Sequence, residues 1–261
     1  VNDLIKRNRY ILSPTFLDEL VPELLRLASS DWVINRPVLP GGDRKARMGA
    51  IHRPLADWVA RTIAAGERPV SLAGDCCTAI GVLAGIQRAG INPCLIWLDA
   101  HGDFNTPETS PSGFLGGMPL AMIVGKGDQT LPAAVGLRNL PEERVILADG
   151  RDLDPEERRL VQSSAMQHLA AGEELLTCQL PAGPLFVHFD TDVVALDESP
   201  AHNFPAPGGP SVAVMTAVFD RLAATGRVIA VSLSAWNPKI DRERISETVS
   251  LFLLRKLVGD A

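Results

Sequence analysis

Five short runs of nearly continuous apolar residues punctuate the chain: 69–73 (PVSLA), 93–98 (PCLIWL), 144–148 (RVILA), 184–189 (PLFVHF) and 227–233 (RVIAVSL). Each is bounded by charge or turn residues, and the apolar positions do not alternate with polar ones. Such runs predict strands buried on both faces, as in a parallel sheet. Between them lie stretches with apolar positions at helical spacing, 48–65, 155–167, 211–224 and 242–258. The second opens at Asp154-Pro155, an N-cap acid followed by proline at the first helical position. Ser211 is a candidate cap for the third. Alternating strands and helices predict an α/β fold, a parallel β-sheet flanked by helices on both faces. Residues 199–210 (SPAHNFPAPGGP) read as one long loop inside a domain, so residues 1–261 are expected to form a single domain.

Composition narrows the function. The 261 residues carry 25 Lys+Arg against 31 Asp+Glu, a net charge of -6, with 46% hydrophobic residues. That is too apolar for disorder and too acidic for nonspecific nucleic-acid binding. No uncharged apolar run reaches the roughly 18 residues of a spanning helix, so no membrane segment is expected. The first ten residues lack the apolar core of a signal peptide, and the four cysteines show no CxxC spacing, so a reducing cytoplasm is the expected setting.

The chemistry gathers at strand ends, where open parallel sheets bind ligands. One run ends SLAGDCC, giving Asp75, Cys76 and Cys77; another ends WLDAHGD, giving Asp99, His101 and Asp103; a third ends HFDTD, giving Asp190 and Asp192. In extended chain, residues two apart share a face, so each set is expected to converge. Four carboxylates in one place repel unless cations lie between them. Carboxylates with one imidazole suit hard or borderline divalent ions, Mn²⁺ first. His188 shares a strand face with Asp190 and so could supplement the metal site, but it is read as a hydrogen-bonded core histidine, outside the ligand set. His52, His168 and His202 are read as surface or loop residues.

These segments resemble the arginase (ureohydrolase) family. WLDAHGDFNTPETSPSGFLGGMPLAM looks like its second metal motif and substrate loop, HFDTDVVALD its third motif, and LAGDCCTAIG its first; GRDLDPEE and SLSAWNP resemble two later segments. The resemblance implies a three-layer α/β sandwich with two Mn²⁺ held by Asp99, His101, Asp103, Asp190 and Asp192, and Cys76 in the place of a family histidine. It implies hydrolysis of a guanidino or amidino C–N bond by a metal-bridging hydroxide, with Asp103 and His101 as catalytic residues and Asp103 passing the proton on. The loop NTPETSPSG is similar to that of arginases rather than agmatinases. By that likeness Asn105, Ser110 and Ser112 bind an α-carboxylate, and Asp154, with Asp152 helping, faces an α-ammonium. The partner implied is a small guanidino or amidino amino acid, and the assembly a homo-oligomer, a trimer or hexamer.

Three positions depart from the family pattern. Cys76 is a softer ligand than histidine and shifts preference toward Zn²⁺ or Fe²⁺. Ala235 stands where the family carries a glutamate that pairs with the substrate guanidinium, which favours a less basic group such as N-hydroxyguanidine. Gly116 stands where arginases often carry a histidine proton shuttle. Two other readings stay open: a degenerate homologue without turnover, and a hydrolase using Cys76 or Cys77 as nucleophile at a helix N-terminus.

Overall fold

The computed structural model describes residues 7–234 and 236–260; Ala235 lies outside the described residues. Ten strands occur in chain order: β1 Asn8–Ser13, β2 Thr15–Phe16, β3 Glu19–Leu20, β4 Val33–Ile34, β5 Arg68–Ala73, β6 Cys94–His101, β7 Val145–Asp152, β8 Gln167–Leu169, β9 Leu185–Asp190 and β10 Val228–Ser234. Seven α-helices accompany them among the described residues: α1 Arg44–Ala64, α2 Thr78–Arg88, α3 Pro119–Ile123, α4 Thr130–Val135, α5 Pro155–Ser163, α6 Val212–Ala224 and α7 Ile245–Val258. Eight strands form one sheet in the order β4-β1-β5-β10-β9-β6-β7-β8, and every pairing in it is parallel. The five apolar runs are its central strands.

Each face of the sheet buries its own core. On one side Leu95, Trp97 and Phe186 pack with Trp58 of α1, Leu83 of α2 and Met122 of α3. On the other, Ile96, Val187 and Phe189 pack with Phe219 of α6 and Leu254 and Leu257 of α7. This is the three-layer α/β arrangement, and it explains why the strands read as continuous apolar runs.

The local signals act where the sequence places them. Asp43 accepts from the Ala46 N–H to open α1, and Ser211 accepts from the Val214 N–H to open α6. Asp154 begins α5, its N–H donating to Glu157 Oε2. The 155–167 expectation runs too long: α5 stops at Ser163, and Gln167 begins β8 at the sheet edge. Helix α2 escapes the pattern because Thr78–Gln87 are all buried and mostly apolar, with no polar face to set a period. Among the described residues no helix is long and apolar enough to cross a membrane.

Candidate metal centre

The carboxyl ends of β5, β10, β9 and β6 lie side by side at the middle of the sheet. Strand β5 delivers Gly74, whose N–H donates to Thr15 O at 2.9 Å. Asp75 is turned into the structure: its carboxylate accepts from the N–H groups of Leu17 (2.8 Å) and Cys77 (3.0 Å). It therefore ties the β2 segment to the start of α2. Cys76 faces the other way. Its Sγ lies 2.8 Å from Asp190 Oδ2 and 3.9 Å from Asp99 Oδ2, and Ser234 Oγ donates to it at 3.0 Å.

Strand β6 supplies Asp99 and His101. Asp99 is held by the Trp97 indole N–H (3.1 Å) and by the His101 backbone N–H (2.7 Å). His101 Nδ1 lies 3.4 Å from Asp99 Oδ1 and 3.0 Å from Asp192 Oδ2. Asp192 in turn accepts from the Ala100 N–H (3.1 Å), fastening the segment after β9 to β6. The convergence is real, but its expected cause needs correcting. Asp103 arrives through a left-handed backbone, φ +49°, beyond the end of β6. Asp192 sits in a 3-10 turn, Thr191–Val193. Neither reaches the site by extended-strand alternation.

Two sets of ligand atoms result, each within 4.8 Å of one another: Cys76, Asp99, His188 and Asp190, and Asp99, His101 and Asp192. Asp99 belongs to both. Asp103 belongs to neither set but lines the same pocket, and its Oδ2 is buried without a hydrogen-bond partner among the described residues. Six residues bearing carboxylate, imidazole and thiol groups, with the orphaned buried oxygen of Asp103 in the same pocket, fit divalent cations well. The protonation pattern agrees. Burial first, then neighbouring carboxylates, push Asp99 up to about 6 and Asp103 and Asp190 well above the usual range. Burial would raise Asp192 as well, but its hydrogen bond with His101 holds it down at about 2. Burial would lower His101, yet Asp192 and Asp99 push it up to about 12. Without cations the site keeps protons; with them, those protons leave.

His188 is buried and hydrogen-bonded, as the core-histidine reading expects, and it also falls within the first of these sets. In register it lies beside Ser232 on β10 and Trp97 on β6. Its Nδ1 meets Ser232 Oγ at 2.7 Å, and its ring stacks on Trp97 at 3.8 Å between centroids. The surface or loop reading fails for His52, whereas His202 does lie in a loop, though a buried one. His52 is fully buried in α1, where burial lowers it to about 4, and His202 is buried at the pocket with Nε2 3.0 Å from Ser199 Oγ.

The pocket is about 580 Å³ and gathers the expected substrate residues around the acids: Asn105, Ser110, Ser112, Asp152 and Asp154 all line it. Asn105 is buried, its amide donating to Asp154 Oδ2 at 2.9 Å and its carbonyl oxygen accepting from Thr109. Ser110 and Ser112 are more exposed and accept from the N–H groups of Gly113 and Phe114. Asp152 stands 3.9 Å from His101 Nε2 at the open side. Phe16, Phe114 and Phe204 form an aromatic rim, with Phe114 5.0 Å from Phe204 between centroids. At Gly116 the Phe114 ring occupies the space a side chain would need, a Cβ there falling 2.3 Å from it.

Arg151 has a structural part that sequence reasoning missed. Its guanidinium donates to the carbonyls of Asp192, Val193, Ala206 and Pro207, and pairs with Asp149 at 3.1 Å. It clamps the DTD segment to the Pro/Gly-rich loop; its only sequence signal is its place in GRDLDPEE. The cysteine-nucleophile reading loses ground here. Burial, then Asp190, pushes the Cys76 thiol well up, and burial, then Asp75, does the same to Cys77. A nucleophilic thiol needs the opposite.

Comparison with known proteins places this geometry. The family described as "Arginase family" matches residues 32–259. The chain is 30% identical to the N(omega)-hydroxy-L-arginine amidinohydrolase of Streptomyces lavendulae, over 94% of this chain and 84% of that one. It is 32% identical to the arginase of Brevibacillus brevis, over 79% and 74% respectively. The crystal structure of arginase from Bacillus subtilis superposes with a TM-score of 0.81 at 25% identity, covering 98% of this chain and 99% of that one. By the extent of the family match, by these identities and by the shared fold, the chain belongs to the arginase family.

Proposed function

We propose that this protein is a metal-dependent hydrolase that cleaves the C–N bond between the amidino carbon and the side-chain nitrogen of an arginine-like amino acid, N-hydroxyarginine or a related compound. One observation carries the reading: two potential ligand sets joined through Asp99 open, through Cys76, Asp99, His101, Asp190 and Asp192, onto a pocket also lined by Asn105, Ser110, Ser112, Asp152 and Asp154.

The residues divide the work. Cys76, Asp99, Asp103, His101, Asp190 and Asp192 would hold two divalent ions, Mn²⁺ or, because of Cys76, Zn²⁺ or Fe²⁺. Bound there, such ions acidify water and stabilise negative charge developing at the amidino carbon. Asp103 Oδ2, buried and unpartnered, accepts the proton of the attacking water and hands it to the departing nitrogen. His101 stands beside Asp192 and helps to orient the reacting groups. Asn105, Ser110 and Ser112 bind the α-carboxylate, and Asp154 and Asp152 the α-ammonium. The Phe114–Phe204 rim limits water at the mouth of the pocket. The products are a diamino acid and a urea-type compound.

Ala235 brings no carboxylate to meet a full guanidinium charge, so the less basic N-hydroxyguanidine is the better fit; a charge-assisted hydrogen bond of that kind is worth about 1.5–3 kcal/mol. The test is diamino-acid release from arginine and from N-hydroxyarginine, with Mn²⁺ or Zn²⁺ supplied. N-hydroxyarginine should turn over with a kcat/KM at least about tenfold above that of arginine. Equal or better turnover of arginine overturns the substrate assignment, and no turnover of either with any metal favours a non-catalytic homologue.

A further inference from the structure

We propose that His188 is a direct metal ligand, supplying through Nε2 the imidazole that the first motif lacks at Cys76. The proposal rests on the metal-dependent reading above and adds a ligand to it. Three observations carry it. The ligand atoms of His188, Cys76, Asp99 and Asp190 lie within 4.8 Å of one another, a four-donor set that closes around a single ion. The far nitrogen is already engaged: Nδ1 meets Ser232 Oγ at 2.7 Å, the outer partner that fixes tautomer and ring orientation in metal-bound histidines. The near nitrogen has a single long partner, Ser234 Oγ at 3.4 Å, and that hydroxyl itself lies 3.0 Å from Cys76 Sγ, so Nε2 faces the thiol.

The core-histidine reading explains less. Packing and the short Nδ1–Ser232 contact account for the place of the buried ring, but they leave Nε2 with only the long 3.4 Å contact to Ser234 Oγ. The ring is held by its register neighbours, Ser232 and Trp97, with Nε2 turned toward Ser234 and, beyond it, Cys76. Thiolate, imidazole and two carboxylates form a set suited to zinc, whereas Asp99, His101 and Asp192 form a harder one.

A crystal structure of the zinc-loaded protein, with the ion located by anomalous scattering, tests the assignment. His188 Nε2 should lie about 2.0–2.1 Å and Cys76 Sγ about 2.3 Å from one zinc. Zinc bound to Cys76 with His188 outside bonding distance overturns this proposal and leaves the hydrolase reading standing. No bound zinc overturns both. In solution, cobalt titration followed by the thiolate-to-metal absorption band reports the same site. His188→Gln should weaken that cobalt by more than about 100-fold, beyond the 10–100-fold typical of losing an outer partner, and Ser232→Ala should fall within that range. A smaller effect in a His188→Gln protein with wild-type circular dichroism also overturns the assignment.

Discussion

Cys76 Sγ lies 2.8 Å from Asp190 Oδ2, a thiol set against a carboxylate at the ends of strands separated only by β10. A metal at this point exchanges a shared proton for a bond to sulfur. A thiolate favours borderline ions over Mn²⁺. Competition titration should therefore show tighter binding of Zn²⁺ than of Mn²⁺. Cys76→Ser should reduce the ratio of the two affinities by at least about tenfold, some 1.4 kcal/mol. An unchanged ratio would mean that sulfur is not a ligand.

Metal stabilisation should grow with pH. Asp99, buried beside Asp192, is raised from an ordinary 3.8 to about 6, and Asp103 and Asp190 higher. The metal-free folded chain then holds protons that the unfolded chain has released, so these groups favour folding fully only below 3.8. Their contribution is lost as pH rises through that window and beyond about 6. Cations replace those protons. The gain in Tm on adding Zn²⁺ or Mn²⁺ should be larger at pH 8 than at pH 5, read by calorimetry. A gain independent of pH would contradict the site.

Asp103→Asn should separate proton transfer from substrate binding. The carboxylate is buried at the pocket, and its Oδ2 is without a partner. An amide cannot take the water's proton. With both metals supplied at saturation, kcat should fall by about 10²–10⁴, with KM within a few-fold of wild type. Wild-type kcat in this variant would move the role of base to another group.

The sheet was legible because its central strands are apolar on both faces, as 94–98 and 185–189 show. The acids were legible because Asp99, His101 and Asp103 are close in sequence, as are Asp190 and Asp192. The contacts of His188 were not, since they are with Ser232, 44 residues away, and Trp97 across the neighbouring strand. Arg151 was hidden for the same reason: its partners are carbonyls of residues 192, 193, 206 and 207, and no side-chain pattern announces them. Helix α2 was missed through uniform burial. Its contact with α1 depends on Gly85, where a Cβ would fall 2.6 Å from Ala56 O.

Asn105→Ala should reveal the α-carboxylate site. The Asn105 amide meets Asp154 Oδ2 at 2.9 Å and has a second N–H to offer. Losing a hydrogen bond to a charged group costs about 1.5–3 kcal/mol, so KM for an α-amino-acid substrate should rise by about ten- to a hundredfold. The decarboxylated analogue of the same compound, a weak substrate at best, should be affected less than about threefold. Equal effects on both would place the carboxylate elsewhere.

Gly74→Ala should couple backbone packing to metal binding. The Gly74 N–H donates to Thr15 O at 2.9 Å, and a Cβ on residue 74 would fall 2.5 Å from that same oxygen. A backbone carbonyl cannot rotate aside as a side chain would. The β2 segment must move, or the end of β5 must. Asp75 resists the first, since it holds Leu17 N–H at 2.8 Å; Cys76, next in the chain, is displaced by the second. Overpacking of this kind costs about 1–3 kcal/mol. The variant should unfold at lower denaturant concentration and, at temperatures where it is still folded, bind the thiolate-signalled cobalt at least about tenfold more weakly. A loss of stability with unchanged cobalt affinity would show that the strain is absorbed in β2 and that the motif glycine serves the fold alone.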